Sequence, residues 1–168
     1  MDTQRKAAIV EAIHIATVGA GPMEEFSHVN AVAGVGLECD RYAANAGTFS
    51  KGTGDQALTF VEAESIDYLR ETYGVSLAPG ESRRNVTTRG IRLNKLVGKR
   101  FTVGSALCEG VELAHPCAHL ERVTQRPGLV KQMMGRGGLR ARILEGGIIR
   151  AGDAVVPEPD GQMDLFEE

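Results

Sequence analysis

Glycine sets the first limit on this fold: 21 of the 168 residues carry no side chain, close to twice the background of about 7%. Helix interiors tolerate glycine poorly, because it loses more backbone entropy on ordering than any other residue. Turns, bulges and close backbone approaches accept it or require it. The chain is therefore expected to be β-rich (mainly β, α+β) and turn-rich, not a helical bundle. With 42% hydrophobic and 24% charged residues and a mean hydropathy of −0.14, wholesale disorder and a membrane-embedded fold are excluded. The length suits one domain, expected over residues 1–156, with 157–168 as an acidic tail.

A net charge of −3 conceals a partition along the chain. Residues 1–82 hold 5 basic and 12 acidic side chains, 83–150 hold 14 and 4, and 151–168 hold 0 and 6. A basic segment inside an acidic protein points to a local anion site, whereas a nucleic-acid coat would raise the overall pI. With a pI near 5.8, direct nucleic-acid binding is not expected.

Arg5-Lys6 followed by an apolar stretch superficially matches a short secretory signal, but Glu11 and His14 interrupt it. Residues 8–18 read better as a strand, with Ile9, Glu11, Ile13, Ile15 and Thr17 on one parity. Three cysteines, an odd number, without an export signal imply free thiols in a reducing cytoplasm. No membrane association is expected, since no run approaches the about 18 apolar residues of a spanning helix.

Further on, 28–37 reads as a second strand, 45–55 as a Gly/Ser/Thr loop, and Ala57–Val61 as a short apolar strand. Glu62–Tyr73 carries Ala63, Ile66, Leu69 and Tyr73 at helical spacing, with Gly74 as terminator. Lys99–Val103 and Ala106–Ala114 form a hairpin around Gly104-Ser105, with Leu107, Val111 and Leu113 on one parity. Leu120–Gly135 is helical but broken by Pro127. Leu139–Leu144 and Ala154–Val156 close the domain, with Gly146-Gly147 and Gly152-Asp153 as turns.

Cys117 sits in a polar turn after a proline, flanked by His115 and His119 and followed by Arg122. A thiolate is stabilised in such surroundings; the alternative is a cysteine that only fills space. Cys108, mid-strand, reads as structural. His115-x-Cys117-x-His119 also allows a zinc reading, although Pro116 and a helix start argue against a regular strand, so no bare metal site is expected. The basic constellation comprises Arg41, Arg83, Arg84 and Arg89, with Arg140 and Arg142 as further candidates. Asn85, Thr87 and Thr88 add short polar side chains. Arginine forks and hydroxyls suit a phosphate or the polar edge of a pterin; a solvated charged strand face is the competing reading. In the tail, Gln162-Met163-Asp164-Leu165-Phe166 exposes two apolar side chains that must dock somewhere, on the protein itself or on a partner.

Several ordered strings, Gly36-Leu37-Glu38-Cys39-Asp40-Arg41, Thr59-Phe60-Val61-Glu62-Ala63-Glu64, Arg84-Asn85-Val86-Thr87-Thr88-Arg89-Gly90, Leu96-Val97-Gly98-Lys99-Arg100-Phe101-Thr102-Val103-Gly104, His115-Pro116-Cys117 and Leu139-Arg140-Ala141-Arg142-Ile143-Leu144-Glu145-Gly146-Gly147, together resemble the MOSC domain. That family is named for the C-terminal domain of molybdenum-cofactor sulfurase. The resemblance implies a β-barrel of mostly antiparallel strands with a few peripheral helices, and a protein that handles molybdenum cofactor (molybdopterin) or sulfur bound to it. Pyridoxal phosphate is not expected. By the same resemblance Cys117 carries a persulfide sulfur or lies against the metal of the bound cofactor. Arg41, Arg83, Arg84, Asn85, Thr87, Thr88, Arg89 and His115 would then surround an anionic pterin-type ligand. The role implied is sulfur or cofactor transfer to or from a partner protein, or cofactor-dependent reduction of N-hydroxylated compounds. The sequence departs from the family pattern at Cys39, where glycine is more frequent, and at Tyr42, where histidine is common. The peptide with Gln162, Leu165 and Phe166 resembles the motif by which bacterial replication and repair proteins bind the DNA sliding clamp. A non-catalytic module recruited to that clamp is the alternative reading.

Overall fold

The structure, a computed structural model, describes residues 7–17, 21–40 and 58–159. Arg41, Tyr42, the expected loop at 45–55 and the tail residues Gln162, Leu165 and Phe166 lie outside the described residues. The strands are β1 (Ile9–Ile15), β2 (Glu24–Phe26), β3 (His28–Val32), β4 (Gly36–Leu37), β5 (Leu58–Glu62) and β6 (Val86–Arg89). They continue with β7 (Arg100–Val103), β8 (Ala106–Leu113), β9 (Leu139–Glu145), β10 (Gly147–Arg150) and β11 (Val155–Pro157). Among the described residues three helices accompany them, α1 (Ala63–Tyr73), α2 (Ala118–Thr124) and α3 (Leu129–Gln132), with a 3-10 turn at Leu93–Leu96. Among the described residues no helix is long and apolar enough to cross a membrane.

Eight strands form one sheet in the order β11-β7-β8-β9-β5-β6-β1-β2, and β10, β3 and β4 form a second. Neighbours are antiparallel except β5 and β6, which run parallel across the α1 crossover. The β-rich class is as expected, but the large sheet does not close into a barrel. The reason lies in β1. Its far edge is covered by the three-residue β2 only at Ile13–Ile15, and the other half meets the start of β11 through a single bridge, Ile9 to Ala154. Three flanking backbone bonds, Val10 N to Asp153 O at 2.8 Å, Gly152 N to Val10 O at 2.7 Å and Val155 N to Ala8 O at 2.9 Å, hold that seam without a ladder.

The core lies between the sheets and includes Val10, Ile13, Phe60, Val86, Phe101 and Leu139, all at 0% exposure. Phe60 and Phe101 meet edge to face with centroids 5.5 Å apart, a favoured aromatic geometry. A bulge between Val10 and Ala12 breaks the simple alternation expected for β1: Val10 turns inward with Ile13, and Ile9 is left on the surface. In β8 the inward residues are Ala106, Cys108 and Gly110, not Leu107, Val111 and Leu113. Gly110 is needed there, since a Cβ would stand 2.1 Å from the Leu96 carbonyl oxygen.

The helices form a smaller layer around Leu69, Leu120, Leu129 and Met133. α1 ends as expected at Gly74, which is left-handed; its N–H donates to Arg70 O at 3.0 Å, and the Val75 N–H donates to Leu69 O at 3.2 Å. α2 and α3 are the two halves of the segment that Pro127 divides. The Arg126 guanidinium clips this layer to the 75–82 loop, donating to Glu81 Oε2 at 2.9 Å, Glu81 Oε1 at 3.3 Å and Ser76 O at 3.0 Å.

His14, on β1, is buried, and burial pushes its imidazole below the ordinary histidine pKa against the opposing pull of Glu25. The native state therefore binds this proton less readily than the unfolded chain. Stability is expected to fall as pH drops through the ordinary histidine range, and to be unaffected by His14 above it. Urea midpoints measured from pH 8 to pH 5 should show this slope in the wild type and a shallower one in His14→Gln; equal slopes would assign the effect elsewhere.

Candidate functional site

Asn85, just before β6, is the centre of a buried polar network. Its Oδ1 accepts from the Thr59 N–H at 3.2 Å and the Thr59 hydroxyl at 3.1 Å, and its Nδ2 donates to His14 O at 3.1 Å and Asp40 Oδ1 at 3.2 Å. Asp40 Oδ1 also accepts the Ala16 N–H at 3.2 Å. β1, β5, β6 and the turn after β4 are thus joined through one amide whose donors and acceptor sites are committed within the protein.

Arg84, 8% exposed, reaches across to the segment that bears Cys117. Its Nε donates to Gly137 O at 2.8 Å and a terminal nitrogen to Ala114 O at 3.2 Å. Gly137 in turn lies flush against that segment: a Cβ there would be 2.1 Å from Ala114 O and 2.7 Å from Pro116 Cδ. The next residue, Gly138, adopts φ +110° and would place a Cβ 1.8 Å from Phe60 O. A guanidinium, a proline and two glycines therefore fix the path of Ala114–Cys117.

Cys117 emerges from this brace half-buried and extended (φ −142°, ψ 171°) immediately before α2. Its carbonyl accepts from Leu120 N–H at 2.9 Å and Glu121 N–H at 3.4 Å. His115 is exposed and His119 half-buried on the first turns of α2. Among the described residues no group of three or more His, Cys, Asp or Glu side chains is arranged to hold a metal ion. Cys39 is exposed, and Cys108 is fully buried with its thiol pushed up to about 12 by desolvation. In the native protein, alkylation is accordingly expected at Cys117 and Cys39, with Cys108 protected until unfolding. Peptide mapping after a short iodoacetamide pulse tests this; early labelling of Cys108 would contradict its place in the core.

The remaining candidates are spread over the sheet. Arg83 has a left-handed backbone (φ +66°), donates to Gly21 O, and borders a cavity of about 390 Å³ that it shares with Val123 and Thr124 at the end of α2. Arg89 is held by Glu11 at 2.6 Å and Asp67 at 3.1 Å, the Glu11 bond above all raising its pKa. Thr87 lines a separate cavity under α1. Thr88 is fully buried, its hydroxyl without a hydrogen-bond partner among the described residues. Arg140 is half-buried on β9 opposite Thr59 and Glu112, and Arg142 approaches Glu109 at 3.4 Å. The polar run thus divides: Arg84 and Asn85 brace the Cys117 segment and the strands beside it, and Arg89 is tied to the other side of β6. Thr59 and Gly137 do not stand out in the sequence as site residues, although the Gly137-Gly138 pair carries the signal of a close approach.

The MOSC domain model matches residues 38–156, a span that contains the network, the arginine brace and Cys117. No curated protein is similar in sequence at a significant level. In fold the chain is similar to the YUAD protein of Bacillus subtilis, at 20% identity and TM-score 0.74 over 94% of this chain and 99% of that one. It is also similar to YiiM of Geobacillus stearothermophilus, at 22% identity and TM-score 0.71 over 92% and 76% of the two chains. The corresponding values for YiiM of Escherichia coli are 18%, 0.64, 92% and 69%. A match to the family model over most of the length, on a β-rich fold of this kind, makes the chain a member of the MOSC domain family.

Proposed function

We propose that this protein receives molybdenum cofactor, or sulfur destined for it, at Cys117. The observation that carries the reading is a half-buried thiol at the end of a braced segment: Arg84 and Gly137 pack against Ala114 and Pro116 just before it. The donor set fits, because a thiolate is both the nucleophile in sulfur transfer and a metal ligand. When bound, the cofactor would supply a metal centre for redox or sulfur chemistry. Cys117 would hold the sulfur atom or the metal; Arg83 borders a cavity at the end of α2 whose lining does not include Cys117, and belongs to the proposal as a further polar contact. Arg84 and Asn85 would act by keeping Cys117 and the neighbouring strands in place. Arg41 and His115 belong to the same proposal as further polar contacts.

Protein produced in a cofactor-competent host should carry extra sulfur on the Cys117 peptide, or pterin absorbance, by mass spectrometry and optical spectroscopy. Cys117→Ser should remove that signal while leaving the melting temperature within about 1–2 °C, because a half-exposed Cys-to-Ser change loses little packing. A signal that survives in Cys117→Ser, or is absent from the wild type, overturns the reading.

A further inference from the structure

A cavity of about 240 Å³ lies under α1, bounded by β1, β2, β6 and the loop at 77–82. Its floor is His14, whose side chain is 3% exposed. Neither imidazole nitrogen has a hydrogen-bond partner among the described residues. Buried polar atoms are satisfied in the great majority of native structures, so this exception calls for a partner. Glu25 Oε1 stands 3.6 Å from Nε2, too far for a hydrogen bond. The ring is also pressed by the loop backbone, since a Cβ on Gly80 would stand 2.7 Å from its Cδ2, so it has little room to swing toward Glu25.

Two acceptors 3.6 Å apart are spaced to share one nitrogen donor at an ordinary distance of about 2.9 Å from each. The electrostatics agree. Glu11, Glu25 and Asp67 border the cavity; Arg89 engages Glu11 and Asp67, and among the described residues no lysine or arginine pairs with Glu25. Ile66, Leu77 and Pro79 supply apolar walls. The volume is below the about 300–1,000 Å³ of sites for drug-sized ligands. We propose that this cavity binds a small organic cation, a primary ammonium or amidinium with a compact apolar body, whose N–H groups bridge His14 and Glu25.

The test uses the full chain and benzylammonium as probe, with benzyl alcohol as its neutral counterpart, followed by amide NMR shifts at Ala12, Ile66 and Gly80. Benzylammonium is expected to bind with a Kd of about 1 mM, ordinary for a fragment of this size. Benzyl alcohol, and benzylammonium with Glu25→Gln, should bind at least about tenfold more weakly. Glu25 is exposed, so that variant should keep the fold. Acidification through the histidine range should also weaken binding, because a protonated His14 has no acceptor left. The charged groups around the imidazole are Glu11, Glu25 and Asp67 on the cavity and Arg89 beside Glu11 and Asp67, and over that range it is the imidazole that gains a charge. Equal binding of the alcohol and the ammonium, an unchanged Kd in Glu25→Gln, or no shift with the ammonium would each overturn the proposal, the last by showing that water alone satisfies the imidazole.

Discussion

Replacing Gly138 by alanine is expected to cost about 3–5 kcal/mol, enough to consume much of the stability of a domain this size. Two independent penalties combine. At φ +110° an L side chain is strained, for about 1–3 kcal/mol. The added Cβ would also stand 1.8 Å from Phe60 O and 3.0 Å from its carbonyl carbon, so β9 must move off β5, an overpacking cost of similar size. The backbone cannot retreat freely, because Gly138 O accepts from Ala114 N–H at 2.8 Å on the other side. Gly135→Ala is the control. Gly135 also has a positive φ, +75°, but nothing lies within 4 Å of the point where its Cβ would stand, so it should lose only about 1 kcal/mol. Urea midpoints of the two variants separate the terms: equal losses would show that the β5–β9 approach yields easily.

The same pair of glycines shows what can be read in advance. Glycine density announces a turn-rich β fold, and Gly74 and Gly104-Ser105 mark the end of α1 and the turn of the β7–β8 hairpin. These are local signals, set by the φ that a single residue must adopt. Gly146-Gly147 reads as a turn only, whereas Gly147 opens β10 and lies so close to Ser105 that a Cβ would stand 2.5 Å from its carbonyl oxygen. β2, all exposed with the sequence Glu-Glu-Phe, has no apolar alternation to betray it. The bulge in β1 defeats a strict period of two, because one extra residue exchanges the faces of everything beyond it.

The candidate site is legible in the sequence in kind but not in geometry. Cys108 can be assigned a structural place from its mid-strand position, although the apolar parity of Leu107, Val111 and Leu113 points to the other face, and Cys117 is distinguished from it by its polar turn. The arginine run, however, reads in sequence as one patch. Its members separate because their partners lie far along the chain: Gly137 for Arg84, 53 residues on, and Glu11 for Arg89, 78 residues back. Only the strand order β9-β5-β6-β1 brings those partners within reach.

Asn85 provides the sharper test of that network. Asn85→Ala should cost about 4 kcal/mol, since it removes the side-chain acceptor of both the Thr59 N–H and the Thr59 hydroxyl, the amide donor to the His14 carbonyl, and one donor to Asp40 Oδ1, which keeps the Ala16 N–H, and a buried group that loses its partner costs about 1–3 kcal/mol. Asn85→Asp keeps the shape but replaces the donor facing Asp40 Oδ1, now 3.2 Å away, with a second carboxylate. Two carboxylates at that distance do not both ionise, so the folded state must retain a proton that the unfolded chain gives up. The folded pKa of the pair is therefore raised, and the penalty relative to wild type is greatest at high pH and shrinks as pH falls toward the ordinary aspartate value of about 4. Urea unfolding at pH 8 and pH 5, each referred to wild type at the same pH, should show Asn85→Asp worse than Asn85→Ala at pH 8 and recovering at pH 5, with Asn85→Ala nearly flat. A pH-independent Asn85→Asp would mean that its carboxylate turns away from Asp40, and that β1, β5 and β6 are held together by their ladders and not by this amide.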